Sequence, residues 1–205
     1  MKKLFVVWGF ILSVIAVSAH EQGSLYIQPK IGCNLYRLMG VNTYGARLGF
    51  TGGVELEGFL TDNMSLSIAA QYSMQGGKKD YCIIDSNFDA YGIETSLKAN
   101  YLQIPFMANF YVYKGLGIRM GFQFSITLYS HCKQSATGID GNLSDIGYKA
   151  REYDLSIPVG LMYEFNNGIV LDARYNISTS KFMLDADGTR HSGFMLTVGY
   201  KFKHD

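Results

Sequence analysis

The chain has 205 residues, a formal net charge of +1 and 17% charged residues. A charge this close to zero gives no basic surplus, so nucleic acid is not an expected partner. There are 23 glycines and only 3 prolines, with 15 tyrosines and 13 phenylalanines. This composition disfavours an intrinsically disordered chain and favours one domain of β-structure joined by tight turns.

The first 19 residues have the pattern of a secretory signal peptide. Lys2 and Lys3 precede an apolar run over residues 4–17, and the small residues Ser18 and Ala19 follow it. This run is short for a membrane-spanning helix, and no later segment has the ~18 apolar residues that such a helix needs. We therefore expect cleavage after Ala19 and export of residues 20–205 as a single domain.

Eight later segments alternate apolar and polar residues, and a period of two predicts β-strands. The clearest pair covers residues 153–165 and 169–178, where an Asn-Gly turn separates the two runs as in a β-hairpin. The other predicted strands are residues 24–35, 47–58, 64–74, 97–112, 117–129 and 193–203. Pro105 and Pro158 lie inside predicted strands. We expect a β-bulge at each, because proline cannot donate to the ladder.

The connections between these strands are alternately short and long. The short ones are residues 60–63, 113–116 and 166–168, and the long polar ones are residues 36–46, 75–96, 130–150 and 179–192. Short turns on one rim and long loops on the other are typical of bacterial outer-membrane barrels, whose long loops face the outside of the cell.

Each predicted strand has one bulky apolar face and one face of small, polar and charged residues. The interior of an eight-stranded barrel is only wide enough for side chains or one small ligand. It cannot hold the bulky set of all eight strands, so we place that set in lipid. The predicted lumen charges are Lys30, Glu55, Glu57, Arg119, Asp154, Glu164, Asp172, Arg174 and Lys201. We expect them to form a structural ion-pair network, and the alternative is a pore for protons or solutes.

The alternation, the connections and the export signal together predict an all-β protein, a transmembrane antiparallel up-and-down β-barrel of about eight strands in the outer membrane. Three segments resemble the PorT-like outer-membrane β-barrel proteins of Bacteroidota. They are Tyr-Leu-Gln-Ile-Pro at 101–105, the hairpin at 160–176, and Leu-Thr-Val-Gly-Tyr-Lys-Phe at 196–202. The resemblance implies an outer-membrane barrel of about eight strands, in a family whose namesake is linked to a protein secretion and gliding system.

Few residues suggest chemistry. No clustered His, Cys and Asp spacing indicates a metal site, and we expect no cofactor and no catalytic residues. Cys82 and Cys132 lie in two different predicted outer loops, where an oxidising environment would allow a disulfide between them. His131 and His191 each neighbour a serine near the outer rim, and an outer-membrane enzyme acting on lipid or peptide would use such residues.

We expect a monomeric, non-enzymatic protein whose partners are outer-membrane lipid and other envelope or secretion proteins. It would serve as a scaffold, an adhesin or a secretion accessory through its long loops or its periplasmic contacts. The alternatives are a secreted lipocalin-like barrel for a small ligand, a small channel, and a lipid-modifying outer-membrane enzyme.

Overall fold

A computed structural model describes residues 22–39, 45–84, 90–137, 152–181 and 190–204, so the predicted signal peptide lies outside the described residues. The strands are β1 Leu25–Met39, β2 Gly45–Thr61, β3 Met64–Ile84, β4 Ala90–Tyr113, β5 Leu116–Thr137, β6 Tyr153–Glu164, β7 Ile169–Lys181, β8 Arg190–Tyr200 and β9 Phe202–His204. No membrane-spanning helix occurs in the described ranges.

The strands form one closed antiparallel barrel. Each of β2 to β7 pairs with its two neighbours in the sequence, and β8 pairs with β7. β1 closes the barrel by pairing with β2 on one edge and with β8 and β9 on the other. The β1–β9 pair Ile27–Phe202 continues the register of the β1–β8 pair Lys30–Gly199. β8 and β9 are therefore one interrupted strand, which confirms the predicted eight-stranded barrel.

The predicted short turns are confirmed. In the turn between β4 and β5, the backbone conformation explains the residues found there. Tyr113 pairs with Leu116, so only Lys114 and Gly115 form the loop. Both have positive φ, 33° and 86°. Positive φ at both central residues defines the hairpin turn whose twist matches that of the flanking strands. A Cβ on Gly115 would also lie 2.1 Å from the carbonyl oxygen of Glu164, which excludes any larger residue.

Three strands are much longer than predicted. β3, β4 and β5 have 21, 24 and 22 residues, whereas β6, β7 and β8 have 12, 13 and 11. Most of the predicted loop at 75–96 is strand, and so is the start of the predicted loop at 130–150. The sequence of these extensions is largely polar and does not alternate, so the period-two signal ends before the backbone pairing does.

The predicted β-bulges at Pro105 and Pro158 are wrong. Neither the β3–β4 nor the β5–β6 register shifts at these positions. Pro105 pairs with Gln123 on one side, and Pro158 pairs with Asn176. On the other side of each proline the ladder skips two pairs and resumes in the same register. A missing N–H removes pairing on one side only, so no extra residue is needed. Pro29 similarly faces the break between β8 and β9.

The two faces of the barrel divide as predicted. Bulky apolar residues face outward, such as Phe122 at 66% and Leu48 at 69% exposure, while Arg119 and Thr51 in the lumen are 0% exposed. Lys98 lies on the outward face. Exposed aromatic residues lie at the short-turn ends of β4, β6, β8 and β9, namely Phe110, Tyr113, Tyr163, Phe165, Tyr200 and Phe202. The lipocalin-like alternative is wrong, because it needs an apolar interior and a polar exterior.

Candidate functional site

A group of buried charges crosses the middle of the lumen, and Arg119 is at its centre. Arg119 Nη2 donates to Glu55 Oε1 at 2.8 Å, and its Nη1 donates to Asp172 Oδ2 at 2.7 Å. Lys30 Nζ donates to Glu55 Oε2 and lies 3.7 Å from Asp172 Oδ2. Arg174 Nε lies 3.8 Å from the same Asp172 oxygen. We call these five residues, contributed by β1, β2, β5 and β7, the central cluster.

The central cluster has three cations and two carboxylates, and every member is at most 2% exposed. Hydrogen bonds to neutral side chains partly stabilise the excess positive charge. Arg174 Nη2 donates to Gln71 Oε1 at 2.6 Å, and Arg119 Nη2 also donates to Ser67 Oγ at 3.2 Å. Buried charges are tolerated only when they are paired and hydrogen-bonded, so these contacts hold the four contributing strands in one register.

A second group of charges, the inner cluster, lies between the central cluster and the short turns. Lys201 Nζ lies 2.9 Å from Glu57 Oε2 and 2.5 Å from Glu164 Oε2, and it donates to the Tyr111 hydroxyl at 2.7 Å. Tyr111 in turn donates to Glu57 Oε1 at 2.8 Å. The Lys201 side chain therefore ties the last strand to β2, β4 and β6.

Aromatic and aliphatic side chains pack around the inner cluster. Phe59, Tyr111, Met162 and Val170 form a buried apolar group, with Tyr26 against it. Lys201 Nζ lies 5.1 to 5.6 Å from the ring centroids of Tyr26, Phe59 and Tyr111. Cation–π attraction adds to the ion pairs here. Apolar packing and ion pairs together fill the lumen at the short-turn end.

Replacing Tyr111 with phenylalanine is expected to lower the free energy of unfolding by about 1.5–3 kcal/mol, because hydrogen bonds to two charged groups are lost. The ring would remain, so the packing on Phe59 is retained. Urea titration in lipid vesicles followed by circular dichroism measures the change. Tyr113→Phe is the matched control, since this tyrosine is 49% exposed. Equal effects of the two substitutions would contradict the role given to the buried hydroxyl.

The structure brings eight of the nine predicted lumen charges into these two clusters. Asp154 lies apart, nearer the long-loop end, and accepts a hydrogen bond from Ser178 Oγ at 2.7 Å. Three lumen residues lay just outside the predicted strands. Tyr36 and Gln75 were assigned to long loops and Phe59 lay between a strand and a turn, yet they are 2%, 5% and 2% exposed, respectively. Each continues the inward phase of its strand by one step, and that continuation was the available signal.

The side chains of the other candidate site residues lie outside the part of the chain that the structure describes. This holds for the side chains of Cys82, Cys132, His131 and His191. The backbone register nevertheless disfavours the predicted disulfide. Cys82 pairs with Gly92 and Cys132 with Leu97, on opposite edges of β4. These positions are roughly 17 Å apart along the strand, well beyond the Cα separation of a disulfide. Among the described residues no group of His, Cys, Asp and Glu could hold a metal ion.

Comparison with solved structures identifies the architecture. The attachment invasion locus protein Ail of Yersinia pestis is 17% identical with a TM-score of 0.52, over 89% of this chain and 100% of Ail. Neisserial surface protein A is 16% identical with a TM-score of 0.55, over 88% of this chain and 100% of that protein. At these identities the likeness shows the fold alone. A search of curated proteins finds no match.

A family model is more specific than these structural neighbours. The model described as "Outer membrane protein beta-barrel domain" matches residues 19–183, most of the chain. Its match agrees with the outward apolar face, the polar lumen and the alternation of short turns with long extensions. The protein therefore lies in the outer membrane and belongs to the outer membrane protein beta-barrel domain family.

Proposed function

We propose that this protein is a monomeric, non-enzymatic docking protein that binds a partner protein through the extracellular extensions of three strands. The observation that carries the proposal is the length of β3, β4 and β5, which have 21, 24 and 22 residues. A tilted strand crosses the membrane with about 9–11 residues. Each of the three therefore continues for roughly ten residues more, about 30 Å at ~3.3 Å per residue.

These extensions are paired with one another, which makes them a platform. β3 and β4 stay in register up to the pair Ile84–Ala90, and β4 and β5 up to the pair Gly92–Thr137. We call the outer parts of these extensions, residues 79–84, 90–95 and 130–137, the protruding sheet. A sheet has a defined shape before it meets a partner, so little ordering entropy opposes binding.

The edges of the protruding sheet also suit a partner. Pairing with β2 reaches Lys78, and pairing with β6 reaches Ile126. Among the described strands, residues 79–84 of β3 and residues 130–137 of β5 pair only with β4. An edge strand presents a row of N–H and C=O groups that an extended segment of another protein can extend by β-augmentation.

The lumen supports this proposal over the channel alternative. The central and inner clusters and the apolar group around them fill it from mid-height to the short turns. The motifs at 101–105, 160–176 and 196–202 support placing the protein with the PorT-like barrels of Bacteroidota, and its partner among envelope or secretion proteins. The proposal includes no catalytic role.

Trimming the protruding sheet tests the proposal. A variant in which Asn-Gly joins Lys78 to Ser96 removes the β3 and β4 parts of the protruding sheet. It keeps the β3–β4 pairs nearer the membrane, since Lys78 and Ser96 are themselves paired. Cross-linking on intact cells, followed by quantitative mass spectrometry, compares the partners of the full and trimmed proteins. The boiled and unboiled gel mobility of each shows whether the barrel has folded. We expect the trimmed barrel to keep its mobility shift and lose its cross-linked partner.

A matched control shortens a different outer connection, residues 182–189, and leaves the three long strands intact. This control should retain the partner. The proposal is wrong if trimming the protruding sheet leaves the cross-links unchanged. It is also wrong if the cross-links map to the periplasmic turns, since the protein would then act from the other side of the membrane.

A further inference from the structure

A small polar cavity lies in the lumen on the long-loop side of the central cluster. Its walls come from six strands, and its lining residues are Tyr36, Gln75, Gln103, Gln123, Asp154, Ser156, Asn176 and Ser178. The space open to a water-sized sphere is about 10 Å³. That volume holds about one water molecule, or one dehydrated ion of similar size.

The side-chain amides around this cavity use their nitrogens for bonds within the wall. Gln123 Nε2 donates to Ser156 Oγ at 3.3 Å and Ser125 Oγ at 3.4 Å. Asn176 Nδ2 donates to the Tyr36 hydroxyl, and Gln103 also hydrogen-bonds to this hydroxyl. The wall contacts therefore leave amide oxygens, rather than nitrogens, for whatever occupies the cavity.

Three of these amide oxygens have no hydrogen-bond partner among the described residues. They are Gln103 Oε1, Gln123 Oε1 and Asn176 Oδ1, on side chains that are each 1% exposed. A buried acceptor without a donor is costly, so the cavity needs an occupant. One water molecule has two protons to donate and cannot satisfy three acceptors. A cation can contact all three oxygens at once.

We propose that this cavity binds one dehydrated monovalent alkali cation. Amide carbonyl and carboxylate oxygens are the ligands that hard cations prefer, and rings of carbonyl oxygens replace the hydration shell of alkali ions in other membrane proteins. Here Gln103, Gln123 and Asn176 supply neutral oxygens, and Asp154 supplies the negative charge. Ligands from β4, β5, β6 and β7 converge on the ion. Its binding would therefore stabilise the pairing of these strands in the half of the barrel nearer the long loops.

The charges near the cavity favour a monovalent ion over a divalent one. Asp154 is the only carboxylate among the lining residues that the structure describes. Arg174 lies one inward position below Asn176 on β7, and its guanidinium belongs to a cluster that already has an excess of cations. Divalent sites in proteins usually combine several carboxylates, whereas the described lining of this cavity has one.

Cation-dependent stability tests the site on the full-length barrel in lipid vesicles. Thermal unfolding is followed by circular dichroism in sodium, potassium or N-methylglucamine chloride at one ionic strength, so that general screening is constant. A ligand that binds only the folded state raises the unfolding temperature with its concentration. We expect the unfolding temperature to rise as sodium or potassium replaces N-methylglucamine, and calcium at matched ionic strength to give no larger rise.

Two substitutions should abolish this dependence. Gln123→Met removes one oxygen ligand at similar volume, and Asp154→Asn removes the charge. Gln28→Met is the matched control, because Gln28 is equally buried at 1% but does not line the cavity. It should keep the full dependence. Broadening of the sodium-23 magnetic resonance line by the wild-type protein, reversed by potassium, gives a readout that needs no variant.

The site is overturned if the unfolding temperature is the same in sodium, potassium and N-methylglucamine, or if the wild-type protein leaves the sodium line unbroadened. The cavity would then contain ordered water only. Equal dependence in Gln123→Met and Gln28→Met would overturn the assignment of ligands. A response to calcium that exceeds the response to sodium would overturn the monovalent class.

Discussion

Replacing Asp172 with asparagine is expected to lower the free energy of unfolding by about 3–5 kcal/mol, the usual cost of removing one partner from a buried ion pair. Its Oδ2 lies 2.7 Å from Arg119 Nη1, 3.7 Å from Lys30 Nζ and 3.8 Å from Arg174 Nε. Asparagine has the same shape but no charge. Three buried cations would then face Glu55 alone, and their mutual repulsion would no longer be offset.

Urea titration in lipid vesicles, followed by circular dichroism, measures this loss. Asp62→Asn, in an exposed turn, is the control for a carboxylate that no cluster uses. Arg119→Met should cost less than Asp172→Asn, because it leaves two cations facing two carboxylates. Adding Arg174→Met to Asp172→Asn should recover part of the loss. A cost below ~1 kcal/mol for Asp172→Asn would contradict a dry, paired lumen and favour a water-filled pore.

The sequence predicts which residues face the lumen, but it does not predict which of them contact one another. Alternation with a period of two assigns Lys30, Glu55, Arg119 and Asp172 to the inward face, because a strand sends neighbouring residues to opposite sides. The pairing of Arg119 with Asp172 joins β5 to β7. This contact depends on the stagger of the strands around the barrel, and a single sequence does not specify that stagger.

The strand ends were the least predictable part. Tyr36 and Phe59 were missed because an aromatic residue at a strand end is equally consistent with a rim, a turn or the lumen. The extensions of β3, β4 and β5 were missed for a different reason. Outside the membrane, neither face of a strand has to be apolar, so backbone pairing continues without a hydrophobic pattern. The protruding sheet, which we propose as the partner-binding surface, therefore lies in strand segments that the hydrophobic pattern does not predict.

Replacing Phe122 with arginine is expected to destabilise the barrel by about 2–4 kcal/mol, the cost of a lipid-facing arginine near the bilayer midplane. Phe122 is 66% exposed on the outward face of β5, between Leu116 at the short turn and Ile126, where pairing with β6 ends. In water, an arginine at such an exposed position would cost almost nothing. The size of the effect therefore reports which solvent contacts this face.

The control is the same type of substitution at a different depth in the membrane. Leu48 is 69% exposed on the same outward face but lies near the long-loop rim, where Leu48→Arg should cost about 0–1 kcal/mol. Phe122→Leu should also be nearly neutral, since it keeps an apolar side chain. Unfolding titrations of the three variants in vesicles of one lipid give the comparison. A large cost at Phe122 with a small cost at Leu48 requires a solvent whose polarity changes along the barrel axis, as in a bilayer. Equal and small costs at both positions would mean that water contacts the apolar outward face, which would contradict its placement in lipid.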